Sequence, residues 1–318
     1  MSTSAADYLV DRRRLRRQLG LWRIAAFVVA ALAIVALGAR LSGAMGVGGS
    51  HIARLTVSGF IAGNDETLKL IREARDSPAV AAAVVRIDSP GGGTEGSEEI
   101  YDELRRLAAK KPVAAVIGGM GASGAYIAAL GADRIFARGN SIVGSIGVLV
   151  EYPNLSGLMD MVGVKLESIK SSPLKAAPNG FEPTSDEARA AMAALVADSF
   201  DWFKTLVKDR RGLADDELAK VDDGRVFTGR QGLALKLVDA LGGEREAIAW
   251  LETDRGVAKN LPVRDYKPHA GWTGLKLTSV AAAAADLVGL TSLAEALRYK
   301  ARPSVDGLVS VWQLSGGN

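Results

Sequence analysis

Apolar and polar positions alternate in two different periods along this chain, and the switch between them outlines the fold. Ile52 to Val57 reads as a strand, and Glu66 to Asp76 as a helix with Leu68, Leu70 and Ile71 on its apolar side. Val80 to Ile87 is a nearly continuous apolar run, the pattern of a strand buried on both faces. It runs into Asp88-Ser-Pro-Gly-Gly-Gly93, which predicts a turn that ends the strand. A helix is expected from Thr94 to Lys111, with Ile100, Leu104 and Leu107 at helical spacing. Strand Val113–Ile117, a turn at Ser123 and a helix to Leu130 follow.

Arg134–Ala137, Ile142–Val150 and Val164–Ile169 have strand character, and Leu155–Val162 helical character. A long helix is predicted over Thr184–Arg211, with Thr184 and Glu187 as its capping box, and a further helix over Glu244–Thr253. Strands alternating with helices predict an α/β domain built on a largely parallel sheet. Past Pro262 the pattern decays, apart from an alanine-rich, helix-like stretch at Val280–Leu290.

Ahead of the α/β pattern lies a different kind of segment. Arg12, Arg13, Arg14, Arg16 and Arg17 precede an apolar run from Ile24 to Ala39, and Ser42–Ser50 forms a Gly/Ser-rich linker. Positive charge before an apolar stretch predicts a membrane anchor with its N-terminus in the cytoplasm and the remaining chain outside. A cleaved signal peptide shares the charged start, but its apolar core is normally shorter. The expected organisation is a basic cytoplasmic N-terminus (1–20), an anchor and linker (21–47), an α/β domain (48–261) and a C-terminal extension (262–318).

Composition narrows the chemistry. Among 318 residues there is no cysteine, which removes disulfides, thiolate metal sites and a cysteine nucleophile. The net charge of +3 gives no reason to expect nucleic acid as a partner. Only two histidines occur, His51 beside the linker and His269 in the tail, so a Ser-His-Asp triad and the usual zinc motifs are not expected.

Gly-Ala-Ser-Gly-Ala, Gly121 to Ala125, offers a serine instead. At a strand-to-helix turn, Ser123 would present an uncovered hydroxyl beside the N–H groups of a helix N-terminus, the setting of a nucleophile next to an oxyanion hole. The same serine also reads as a helix cap. With histidine scarce, a base for Ser123 would have to be lysine. A lysine base must be neutral, and moving it from about 10.4 to roughly 7–8 takes ~3–5 kcal/mol of destabilisation of the ammonium. Lys175, in Ser-Ser-Pro-Leu-Lys-Ala-Ala-Pro, has no acid nearer in sequence than Glu167 or Glu182. Taken alone it also fits a solvent-facing loop. Ser89–Gly93 would let main-chain N–H groups approach a ligand closely, and it lacks the Gly-Lys-Ser/Thr ending of a phosphate loop.

Together these segments resemble the signal peptide peptidase A family, membrane-anchored Ser/Lys peptidases of the ClpP/crotonase superfamily. The resemblance runs in order from Ile52 to Gly243. It rests on Arg86–Gly93, Met120–Ala128, Gly144–Val148, Ile169–Ala176 and Asp223–Gln231. It implies a ClpP/crotonase-like core of repeated β-β-α units wound as a superhelix, with a single N-terminal transmembrane helix. It also implies Ser123 as nucleophile, Lys175 as general base, the N–H groups of Gly92 and Gly124 as oxyanion hole, and Ser145 as the residue orienting the lysine.

No metal or cofactor is implied. The expected partners are remnant signal peptides, the membrane and further copies of the chain in a ring whose active sites combine serine and lysine from neighbouring subunits. The expected location is the bacterial cytoplasmic membrane, with the catalytic domain on its outer, periplasmic side. Two departures, Ser171-Ser172 where the family has Ser-Gly and Ala125 after Ser123-Gly124, bear on pocket shape. An acyl-CoA enzyme of the crotonase type and a non-catalytic membrane scaffold are the alternative functions.

Overall fold

The computed structural model describes residues 18–35, 49–63 and 65–267, together with the backbone of 309–311. The Arg12–Arg17 cluster, most of the linker, the Val280–Leu290 helix and His269 lie outside the described residues. The chain divides into two units, Met1–Gly49 and Ser50–Asn318. In the first, helix α1 (Gln18–Val35) is 18 residues long with a mean hydropathy of 2.0 and no buried residues.

The second unit is organised on one sheet. β1 (His51–Ile61), β2 (Val80–Gly93) and β3 (Val113–Ala122) are parallel neighbours, and β8 (Val263–Asp265) extends the β1 edge. β4 (Arg134–Ala137) and β5 (Ile142–Gly144) both pair with β3 in parallel, one after the other along its length. β7 (Ala240–Leu241) adds to β4 and β6 (Val226–Thr228) to β5. A last short strand, β9 (Val309–Val311), is antiparallel to the end of β2.

The period-2 alternation of β2 sorts its side chains between two cores. Ala83, Val85 and Ile87 enter the larger one, beneath α2 (Asp65–Asp76), α3 (Thr94–Ala108), α4 (Gly124–Leu130) and α6 (Asp186–Arg211). Ala82 and Val84 enter the smaller one with Ala247 and Leu251 of α9 (Glu244–Thr253). A strand buried on both faces needs this unbroken apolar run. Short helices α5 (Ser156–Met161), α7 (Asp215–Leu218) and α8 (Gly229–Ala234) lie between the larger elements.

Four expectations need correction. β2 does not stop at Ile87 but runs through Pro90 to Gly93. Pro90 falls in a register shift opposite Ser58–Phe60, so its missing N–H interrupts no ladder pair with β1. The Ile142–Val150 strand ends at Gly144, because Gly144 (φ +91°) and Ser145 (φ +51°) turn the chain out of the extended region. Val164–Ile169 forms no strand, since no neighbouring strand among the described residues offers it a ladder. The cap of α6 is Ser185, whose Oγ accepts from Ala188 N, and not Thr184, whose Oγ1 lies 3.2 Å from the Tyr152 hydroxyl.

Candidate active site

Parallel register brings three of the predicted segments to one end of the sheet. Ser89 of β2 stands opposite Gly121 of β3, and Ala122 of β3 opposite Gly144 of β5. The glycines Gly91–Gly93, the Ser123 turn and Ser145 are therefore gathered at that end of the sheet. The Ser123 N–H donates to Gly144 O at 2.8 Å, and the Ser145 N–H to Arg225 O at 2.9 Å.

Ser123 has φ 57° and ψ −121°, a conformation that L-residues rarely adopt, and it opens α4 without making a side-chain cap. Strain of this kind persists only where the surroundings over-determine it, and it concentrates at functional sites. The surroundings here are firm. All seven residues of α4 are buried. The Tyr126 hydroxyl donates to Leu237 O at 2.7 Å, and its burial pushes the phenol pKa up. Arg210 donates from Nε to Leu130 O (2.9 Å) and from Nη2 to Ala132 O (2.8 Å), so a cation holds the negative end of α4. Burial lowers the Arg210 pKa.

One expectation about Ser123 fails. Its hydroxyl is not uncovered, because the residue is 1% exposed in the single chain. A sharp turn exposes a side chain only where its surroundings stand back, and here they do not. Gly124, expected to supply an oxyanion N–H, is the first residue of α4 and is buried.

Gly92 is held as tightly. A Cβ there would lie 2.0 Å from Ile61 O, so only glycine lets β1 and β2 approach this closely. Sequence reading singled out the segment but gave no role to the two side chains that shape it. Ser89 Oγ donates to Gly59 O (2.6 Å) and accepts from Gly91 N (3.1 Å), and Asp88 Oδ1 accepts from Met120 N (3.1 Å). The available signal was a short polar side chain preceding a Pro-Gly turn, which commonly bonds main chain two residues on.

Lys175 behaves differently. It lies in the excursion 151–184, is exposed, and its ammonium has no hydrogen-bond or ion-pair partner among the described residues. The described residues therefore do not provide the shielding that a neutral amine requires. Lys170 nearby is engaged, pairing with Glu182 at 2.6 Å. The lysine whose pKa burial lowers is Lys111, and it donates to Ala74 O and Ser77 O far along the chain from this turn.

His51 starts β1, where its Nε2 lies 3.2 Å from the Tyr266 hydroxyl. Ile61, paired with Gly92, ends the same strand ten residues on, so His51 is about 33 Å away and cannot serve Ser123. Among the described residues no group of three or more His, Asp or Glu is arranged to hold a metal ion.

Comparison with known proteins sets this geometry in a family. A match to Peptidase family S49 spans residues 105–258. The chain is 39% identical over 208 residues to "Putative protease slr0021" of Synechocystis sp., covering 65% of this chain and 75% of that protein. It is 28% identical over 263 residues to "Putative signal peptide peptidase SppA" of Enterococcus faecium, covering 74% and 76%. It is 36% identical over 188 residues to Protease 4 of Salmonella typhi, of which it spans 30%. On these matches the chain belongs to peptidase family S49: it is a serine peptidase built on a mixed α/β sheet.

Proposed function

We propose that this chain is a membrane-anchored endopeptidase in which Ser123 of one copy works with Lys175 of a neighbouring copy. The observation that carries the reading is the strained turn at Ser123, set beside the glycine strip of β2 and opening a buried helix. Neutral Lys175 removes the Ser123 Oγ proton, and Oγ attacks the scissile carbonyl. Charge developing on the carbonyl oxygen is met by the N–H groups of Gly92 and Gly124. The Lys175 ammonium gives its proton to the leaving amine; the neutral Lys175 amine then takes a proton from a water that attacks the acyl carbon, and passes it to Ser123 Oγ as the ester bond breaks and the acid product leaves. Ser145, next to Gly144 O, orients the lysine.

Two features support the use of a second copy. Lys175 is exposed in the single chain, and the excursion around it bares Leu158, Met161, Val162, Val164 and Ile169 to solvent. Large apolar side chains left exposed together along one segment are consistent with a protein–protein contact. A neighbour seated there would also remove the lysine from water. Helix α1, about 27 Å long at 1.5 Å per residue, suits a bilayer core of about 30 Å and supports anchoring, with the domain outside the cytoplasm. Apolar extended peptides close to the membrane, remnant signal peptides among them, are the substrate class.

The test is labelling with a fluorophosphonate probe and hydrolysis of an apolar, signal-peptide-like substrate. Both are expected of the full chain and lost in Ser123→Ala and Lys175→Ala. Labelling that persists in Ser123→Ala, or a Lys175→Ala enzyme of full activity, would overturn the dyad.

A further inference from the structure

We propose that Lys170 is a positioning residue for the reaction: its ion pair with Glu182 closes the loop that carries Lys175 and occupies the carboxylate nearest to Lys175 in sequence. The role rests on the dyad reading above. Lysine is among the side chains least often buried. Yet from Met161 to Ala176 Lys170 is the one residue that is not exposed, its side chain only 19% accessible.

Its Nζ donates to Glu182 Oε2 at 2.6 Å, and Ser168 Oγ donates to Glu182 Oε1 at 3.1 Å. Both carboxylate oxygens are thus taken by the arm of the loop that leads to Lys175. The returning arm is fixed by Asn179 Oδ1, which accepts from Phe181 N (3.0 Å) and Glu182 N (3.2 Å). Gly180 ties that arm down, because its carbonyl accepts from Leu155 N and a Cβ there would lie 2.3 Å from Pro153 O. Between the arms the chain turns tightly, Lys175 N donating to Ser172 O (3.1 Å) and Ala177 N to Leu174 O (3.2 Å). Lys175 therefore rides on a loop closed at its base.

The pair also sets the charge around Lys175. Lys170 is unsuited to be the base itself, because a carboxylate at 2.6 Å favours its ammonium form. The hydrogen bond from Lys170, with those of Ser168 and Asn179, lowers the Glu182 pKa against the opposing effect of burial. An ionised carboxylate close to an amine keeps that amine protonated, the reverse of what a general base needs. Paired with Lys170, the carboxylate contributes no net charge. Glu151, Asp160, Lys165 and Glu167, the other charged groups of the excursion, are exposed and form no ion pair among the described residues. Once a neighbour excludes water, an uncompensated Glu182 would act on Lys175 through a lower dielectric, so the compensation matters most in the assembly.

The experiment is the pH profile of kcat/KM for an apolar peptide in the full chain, with the rate of probe labelling at Ser123 as a second readout. In Lys170→Met the carboxylate is left alone, and the acid-side midpoint is expected to rise by about 0.5–1 pH unit. Activity below the midpoint then falls about three- to tenfold and recovers at higher pH. Lys170→Arg keeps the wild-type midpoint. Glu182→Gln leaves Lys170 uncompensated and moves the midpoint down, and the double variant Lys170→Met/Glu182→Gln returns it to the wild-type value. A side chain that merely held the loop would change the rate by one factor at every pH. Unmoved midpoints in Lys170→Met and Glu182→Gln, or a partial loss equal at every pH, overturn the role of Lys170, and an inactive Lys175→Ala then leaves the dyad standing. If Lys170→Met has no activity at any pH, Glu182→Gln decides: a downward shift upholds the role, and no shift or an upward one overturns it. Full activity in Lys175→Ala sinks the dyad, and the role of Lys170 with it.

Discussion

The turn at Ser123 and the excursion 151–184 carry the two halves of the proposed dyad, and they are built in opposite ways. Around Ser123 the seven residues of α4 are buried, Tyr126 is bonded to Leu237 O, and Arg210 holds the far end of the helix. In the excursion α5 buries nothing, and Met161 and Ile169 stand 83% and 107% exposed. Its described ties are few, among them Leu155 N to Gly180 O (2.7 Å) and the Lys170–Glu182 pair. Both stretches are rich in apolar residues, yet only the first finds a core within its own chain. The surroundings of Ser123 are thus intrinsic to the fold, whereas the described residues leave Lys175 in solvent, and the proposed dyad takes the lysine's shielding from another copy.

The hardest test of that contrast is complementation. Ser123→Ala and Lys175→Ala are each expected to lower kcat by roughly 10⁴–10⁶-fold. Mixed and reassembled in equal amounts, they should regain about a quarter of wild-type activity, since random pairing of neighbours leaves that share of sites complete. A mixture as inert as its parts would place both groups in one chain and break the contrast. Next, Met161→Glu with Ile169→Glu should dissociate the assembly in sedimentation and lower activity tenfold or more. Because neither side chain is buried, each should change chain stability by no more than about 0.5 kcal/mol in denaturant melts.

The built half can be probed at Glu103, a buried carboxylate bonded by Arg72 Nε (3.1 Å), Arg75 Nη1 (3.0 Å) and Arg106 Nη1 (2.7 Å). Burial alone would raise its pKa, but the hydrogen bonds and charges of Arg72 and Arg106 outweigh it and the net shift is downward. A lowered carboxyl pKa stabilises the fold fully above the unfolded value of about 4.3, and that share is lost as pH falls through the folded value. Glu103→Gln should therefore cost ~1–3 kcal/mol at neutral pH. The gap to wild type should close below about pH 4 in acid-titrated melts. The smallest effect is a gain: Ser123→Gly abolishes activity but relieves the positive φ, and should stabilise by about 1 kcal/mol.

Much of the architecture was legible because it follows from local periodicity. Val80–Ile87 reads as a two-faced buried strand and Glu244–Thr253 as a helix, and both are found. The failures share a cause, in that each depended on a neighbour distant in sequence. Gly91–Gly93 reads as a turn because glycine disfavours strands, yet β1 and β9 supply the ladder that keeps it extended. Val164–Ile169 has the composition of a strand and meets no ladder. At the site, the ordered glycine and serine motifs were readable because the reaction proposed for them constrains residue type. The crowding over Ser123 and the solvent around Lys175 were not, since neither composition nor spacing encodes what packs above a turn.

Helix α6 gives these two regions a mechanical relation. It starts at Asp186, directly after the excursion, and 26 residues later ends in Arg210 and Arg211. Arg210 grips the last carbonyl of α4, Leu130 O, and Ala132 O just beyond it, and Arg211 is bidentate with Asp239 (2.8 and 3.1 Å). A stiff rod of about 39 Å thus runs from the lysine-bearing excursion to the back of the nucleophile's helix. In the proposed assembly, a tilt imposed where the neighbour seats itself would reach the Ser123 turn without passing through slack loop, so that one lever would yoke quaternary contact to chemical competence.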